Sequence, residues 1–296
     1  MVIERVAWPN LDEALKDAIA AQCGPVQHVT PVGPGFNSQL AIVVHAERGS
    51  RVFIKGLRTD HARARTQRIE ATINPYVHAV APRLLWTLSA AGWDLLGFEC
   101  VTGRLADYAP GSPDLPIVLE CLRLLQAIPA PGLPLKRAEH RWRNYVDDPA
   151  DLDHFAGNHL LHTDFNPDNI LIADRAYFVD WAWPTRGAGW IDPALWALWL
   201  IAAGHTPDQA ENYAAHTPSW ARAPACAITT FVRANHRLWS EIAADHPDAW
   251  TVDVVDAAKR WDRYRSAKYG EVQPECPSGP ALSANWPAGT GATHGA

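Results

Sequence analysis

The sequence predicts an α+β fold in two lobes: a small β-rich N-terminal lobe with one helix, and a larger, mainly α-helical C-terminal lobe. Three observations carry this. Up to about residue 101, short apolar or alternating runs recur between turns bearing Gly, Pro and Ser, the mark of strands. One charged helical stretch, from Thr59 to about Ala79, interrupts them. After Val101 the chain turns loop-like and then carries apolar stripes at helical spacing. The predicted division is 1–101, 102–270 and a tail, 271–296, that is rich in Gly, Pro, Ala and Ser, lacks periodicity and is expected to be disordered.

In order, "PNLDEALKDAIAAQCG" opens with Asn10 three residues before Glu13, a capping-box spacing. Leu11, Leu15, Ala18 and Ile19 then form a helical stripe that stops at Gly24. "VQHVTPV" and "QLAIVVHA", joined by "GPGFNS", read as a hairpin, and "RVFIKGL" adds a third strand after "ERGS". "RLLWTLSA" and "WDLLGFECV" complete five strands. Beyond Val101, "LPIVLECLRLLQAI" is a helix ended by Pro129. Asp192 and Pro193 look like the N-cap and first turn of a helix reaching Gly204, and two further helices are expected near 223–245 and 249–267.

Composition narrows the function. A chain of 296 residues with 48% hydrophobic and 20% charged residues is ordinary globular material. Its net charge of −6 argues against nucleic acid, where a basic face is expected. "ALWALWLIAA" is half the ~20 residues of a membrane span and reads as a buried helix. The N-terminus has no apolar signal-peptide core, and the five cysteines are scattered without a CxxC pair. Both fit a reducing, cytoplasmic setting without a disulfide framework. Monomer and homodimer stay equally open.

The chemistry concentrates in "LLHTDFNPDNILI" and "YFVDWAWP". His-x-Asp, an Asn five residues after the Asp, and a second Asp after a short hairpin supply one base and two hard oxygen ligands. Asn169 and Asp180 suit magnesium, which takes few protein oxygens beside substrate phosphates. Asp164 is then left to accept a proton from an attacking hydroxyl. His162 reads as a structural hydrogen-bonding residue. A coincidental polar loop explains any one of these residues but not all of them in order.

Two weaker signals agree. The glycines of "GPGFNS" precede a strand, which excludes a dinucleotide-binding strand–Gly–helix unit and suits a loop whose N–H groups approach phosphates, though a plain hairpin turn needs the same residues. Lys55 ends an alternating strand and Glu70 follows in the helix; they could pair, or both could face water.

With these residues the chain resembles the aminoglycoside phosphotransferase and choline kinase-like branch of the protein-kinase-like fold, over about residues 30–204. The resemblance rests on "GPGFNSQ", "VFIKG" with Glu70, "GFECVTGR", "LLHTDFNPDNILI", "VDWAW" and "DPALWAL". It implies ATP (or another nucleoside triphosphate) and Mg2+ as cofactors, with Asp164 as catalytic base and Asn169 and Asp180 on the metal. It places Gly33, Gly35, Phe36, Asn37, Ser38 and Lys55 around the nucleotide, Glu70 orienting Lys55, and the backbone of Glu99 to Val101 against the base. Departures are informative. The metal aspartate stands in Asp-Trp-Ala rather than Asp-Phe-Gly, no Ala-Pro-Glu follows, and Asp180 and Asp192 are 12 positions apart. That leaves no room for a protein kinase's activation segment and points to a small-molecule hydroxyl acceptor. A nucleotide-binding pseudokinase or regulatory module is the alternative.

The acceptor is expected beside Asp164, near Trp183, Arg186, Trp190 and Asp192. Trp196 and Trp199, at helical spacing, read as core, and core packing competes for Trp181 and Trp183. "DDPADLD" is a solvated face or a rim for a cationic acceptor, and "KRAEHRWR" reads as surface. Tryptophans outnumber acids between Trp181 and Asp192, which favours a less charged acceptor over an aminoglycoside.

Overall fold

The computed structural model describes residues 4–33 and 38–270. The expected tail, 271–296, and four residues of the glycine turn (Pro34, Gly35, Phe36 and Asn37) lie outside them.

The N-terminal helix α1 (Glu13–Cys23) follows a short 3-10 turn at Trp8–Asn10, so the expected cap at Asn10 is displaced. Asp12 holds the N-cap position without a side-chain hydrogen bond. What holds the helix is its stripe: Leu11, Leu15 and Ile19 are buried, each contributing about 2 kcal/mol. They pack on a five-stranded antiparallel sheet of order β1-β2-β3-β5-β4. Its strands are β1 (Val26–Pro31), β2 (Leu40–Ala46), β3 (Arg51–Arg58), β4 (Leu84–Ala90) and β5 (Trp93–Glu99). The two-residue turn Ala91–Gly92 joins β4 to β5 with both φ angles positive (48° and 78°), the geometry that matches strand twist.

The charged helix α2 (Ala64–Ile73) is shorter than expected because Pro75 lacks the N–H needed to continue it. Ala64, Gln67, Glu70 and Ile73 recur every third residue and are all buried, so Glu70 lies on the inward face despite its charge.

The larger lobe is built on α3 (Asp114–Gln126), α5 (Ile191–Ala202), α7 (Ala225–Asp245) and α8 (Ala249–Tyr269), with the short helices α4 (Ala138–Arg141) and α6 (Pro207–Ala215) between them. α6 was legible as Thr206-x-x-Gln209, and it does carry a full capping box, but the sequence reading passed over it. α5 is apolar all round and buried through ten of its twelve residues, as a core helix must be.

Two three-stranded sheets lie in this lobe, of which only the short hairpin before Asp180 was expected. One joins β6 (Arg104–Leu105), β9 (Ile170–Ile172) and β10 (Ala176–Phe178). The other joins β7 (Lys136–Arg137), β8 (His159–Leu161) and β11 (Thr185–Gly187). Gly187 lets β11 pass close to α4 and β8, since a Cβ there would stand 2.6 Å from the Ala138 methyl.

Among the described residues no helix is long and apolar enough to cross a membrane. Cys23, Cys100 and Cys121 are free, but Cys226 is disulfide-bonded, against the expectation that the scattered thiols stay unpaired.

Candidate active site

The β9–β10 hairpin sets the geometry. Its register pairs Phe178 with Ile170, and the N–H of Val179 reaches the carbonyl of Asn169 at 2.9 Å. Asn169 and Asp180 therefore stand together at one end of the hairpin. The chain enters β9 through a 3-10 turn, Pro167–Asn169, capped by the Asn166 side chain on the N–H of Asp168. Pro at the first position of that turn gives up an N–H that would have no partner there.

Asp164 lies in the segment between β8 and this turn. Its carboxylate accepts from the N–H of Asn166 and the side-chain amide of Asn169. Burial, reinforced by the nearby Asp180, raises its pKa to about 6. The ring of His162 is pinned between two backbone groups: Nε2 donates to the carbonyl of Val179 at 3.0 Å, and Nδ1 accepts the N–H of Asp164 at 3.3 Å. Burial lowers His162 to about 4, so it is neutral and structural.

The sheet and the hairpin meet at Lys55. Its ammonium lies 2.6 Å from Glu70 and 3.1 Å from Asp180, with Lys55 and Glu70 both buried. Burial alone would lower Lys55, but the charges of Asp180 and Glu70 raise it above the ordinary lysine value. One cation thus ties β3, α2 and Asp180 together. Of the turn residues, Gly33 has open space about its Cα and Ser38 is buried beside β2. Glu99 ends β5 with its N–H on the carbonyl of Arg83, and the chain leaves through Val101 toward the helical lobe.

Of the four acceptor candidates, Trp183 and Asp192 touch the segment that carries Asp164. Trp183 is exposed, and its carbonyl accepts from the Thr163 hydroxyl next to Asp164. Trp190 is instead a core residue, edge-on to Phe155 and Phe231 at 6.0 and 5.3 Å. Asp192 is buried inside the first turn of α5, where its two oxygens accept the N–H groups of His162 and Thr163. Arg186 fails for a reason of period: it alternates with Thr185, which faces inward, and points to solvent with Nε on the carbonyl of Gly157.

Two residues at the site were missed in the sequence. Arg141, expected at the surface, is tucked under the catalytic segment, where Nη1 donates to the hydroxyls of Thr163 and Thr185 and the carbonyl of Trp183. Burial pulls its pKa down to about 10 against the charges of Asp164 and Asp192. Arg5 precedes Val6, whose N–H joins the carbonyl of Gln39 at the entry to β2. Its Nε and Nη1 are buried without a hydrogen-bond partner, within the field of Asp180.

The side-chain oxygens that a metal could take here are the amide Oδ1 of Asn169 and the carboxylate of Asp180, both at the end of the hairpin. Among the described residues no cluster of three or more His, Cys, Asp or Glu could form a closed cage. Such a sparse oxygen set fits Mg2+, whose remaining positions go to water and phosphate.

No protein-family model and no curated protein matches the chain. Solved structures do. An aminoglycoside phosphotransferase from Alicyclobacillus acidocaldarius is similar with a TM-score of 0.61 at 13% identity, over 90% of this chain and 98% of that one. A thermostable mutant of aminoglycoside phosphotransferase APH(4)-Ia, in ternary complex with ADP and hygromycin B, gives 0.57 at 14% identity over 86% and 99%. Choline kinase LicA from Streptococcus pneumoniae gives 0.56 at 13% identity over 86% and 98%. The chain thus has the two-lobed, protein-kinase-like fold of these small-molecule phosphotransferases.

Proposed function

We propose that the protein is an ATP- and Mg2+-dependent kinase that phosphorylates a hydroxyl group of a small molecule, an antibiotic or a metabolite. The observation that carries this reading is the contact of Lys55 with both Glu70 and Asp180, with Asp164 and Asn169 beside it. A buried ammonium between two carboxylates from distant parts of the chain is costly to assemble. Phosphates arriving at Asp180 would use that charge.

In this reading Lys55 and Arg5 hold the phosphates. Glu70 keeps Lys55 extended, and Asp180 with the side-chain amide oxygen of Asn169 would hold Mg2+. When bound, Mg2+ neutralises charge on the transferring phosphoryl group. Asp164 orients the acceptor hydroxyl and takes its proton. Its raised pKa keeps it a competent base near neutrality without making it inert. The amide of Asn169 donates to Asp164 and so links base and metal ligand. The described turn residues Gly33 and Ser38 would cover the phosphates, and the backbone from Glu99 to Val101 would meet the base. That the solved relatives include a complex with ADP and hygromycin B supports a nucleotide and a hydroxyl acceptor here.

The test is phosphoryl transfer from labelled ATP with Mg2+ across a panel of hydroxylated antibiotics and metabolites. Transfer to one acceptor class, abolished by chelation, is expected. Nucleotide binding with no transfer to any acceptor, and no slow hydrolysis, would favour a pseudokinase.

A further inference from the structure

Of the acids expected to attract a polycation, Asp147, Asp148, Asp151 and Asp192 already have partners. Asp147 pairs with Arg237 at 2.8 Å and with Arg233 at 3.8 Å. Asp148 caps its own turn through the N–H of Ala150, and Asp151 takes the hydroxyl of Thr230. Asp192 is consumed by backbone N–H groups. The segment beside Asp164 carries the opposite sign. Lys136, at the start of β7, holds its ammonium 3.7 Å above the ring of Trp183, whose carbonyl meets Thr163 and Arg141. Neither Lys136 nor Arg141 has a carboxylate within 4 Å among the described residues. Two cations, Lys136 on the ring of Trp183 and Arg141 on its carbonyl, thus meet beside the segment that carries Asp164.

We propose that the acceptor is an anionic hydroxy compound, one whose carboxylate or phosphate is held by Lys136 against Trp183, while its hydroxyl meets Asp164. This rests on the kinase reading above and narrows it. Arg141 is a positioning residue here: its Nη1 holds Thr163, Thr185 and the Trp183 carbonyl in place. Lys136 is exposed and can reach a ligand. A polycationic aminoglycoside would meet like charge at this place, which is the strongest rejection a binding surface offers. No covalent step beyond the proposed phosphoryl transfer is needed.

Two measurements test it. The first is transfer from Mg2+-ATP to matched acceptors that share a hydroxylated skeleton and differ in one group: neutral, carboxylated, phosphorylated or amine-bearing. The anionic members should be preferred. Lys136→Gln should raise their KM at least about tenfold, the scale of one charge-assisted hydrogen bond, without changing the KM for ATP. Lys136→Glu should move preference toward the amine. Preference of the wild type for neutral or amine-bearing acceptors, or a Lys136→Gln effect confined to ATP, overturns the proposal; the latter would give Lys136 to the donor phosphates. The second is calorimetric titration of inorganic phosphate into protein saturated with a non-hydrolysable Mg2+-ATP analogue. Binding that weakens at least about tenfold in Lys136→Gln is expected, and no binding, or binding indifferent to the substitution, overturns the site. If the protein takes up no nucleotide, the kinase reading itself falls, and the same titration without nucleotide still decides the anion site.

Discussion

Asp192 accepts the backbone N–H of Thr163 at 3.0 Å from 29 residues away, and its other oxygen takes the N–H of His162 at 2.9 Å. Thr163 sits at φ 67°, a conformation that a β-branched residue adopts only when its surroundings impose it. Asp192→Ala leaves two buried N–H groups without acceptors and releases that constraint. The expected loss is about 2–4 kcal/mol in denaturant unfolding, with turnover falling alongside. Unchanged stability and turnover would show that the segment holds its shape without Asp192.

Asp164→Asn is expected to keep nucleotide affinity and lose at least about 10²-fold in turnover, since the amide cannot take a proton. Asp180→Ala should do something different and weaken Mg2+–ATP binding itself by removing a metal oxygen. Titrating a fluorescent ATP analogue with and without Mg2+ separates the two. Equal effects of both substitutions on affinity would undo the division of labour.

Arg5→Met keeps an aliphatic stem and removes the two buried, unpartnered nitrogens. Because an uncompensated buried charge is unfavourable, the melting temperature should hold or rise. Affinity for ATP should nevertheless drop about tenfold, as when one charge-assisted hydrogen bond to a phosphate is lost. A lower melting temperature with unchanged affinity would make Arg5 purely structural.

His162 supplies a pH signature. Its folded pKa of about 4 lies below the ordinary 6.5 because burial penalises the cation. A depressed value means the unfolded chain binds the proton more readily. The contribution is therefore complete above pH 6.5 and lost as pH falls toward 4, by up to about 3 kcal/mol. His162→Gln abolishes this dependence. The stability gap between wild type and variant should shrink steadily from pH 6.5 to 4, followed by urea unfolding at each pH; a constant gap contradicts a neutral buried imidazole.

How much of this could be read in advance differs by residue. The five strands, the helix carrying Glu70 and the order Asp164, Asn169, Asp180 were legible because local periodicity and spacing encode them. That Lys55 meets Glu70 could only be anticipated as one option, since burial of a helical glutamate shows only when its neighbours Ala64, Gln67 and Ile73 are seen on the same face. Asp192 looked like a cap and a substrate ligand, but its partners are backbone groups brought together by tertiary packing. Arg141 was hidden for the opposite reason: a run of charged residues reads as surface, and its burial comes from β11 crossing above α4. Trp190 was misjudged because an aromatic near a catalytic motif carries the same letters whether it packs or stacks.

The strand β11 lies in the middle of the stretch between Asp180 and Asp192, hydrogen-bonded to β7 on one side and β8 on the other. A segment stitched into a sheet on both edges has nothing left to order or release. Switches in phosphoryl-transfer proteins commonly work by ordering such a segment through a modification or a ligand. Here β11 anchors the chain between Asp180 and the helix whose Asp192 holds the N–H groups of His162 and Thr163, so on the kinase reading the site needs no such ordering step. Its output would then follow the supply of nucleotide and acceptor and the amount of protein made, with no latent form to be awakened.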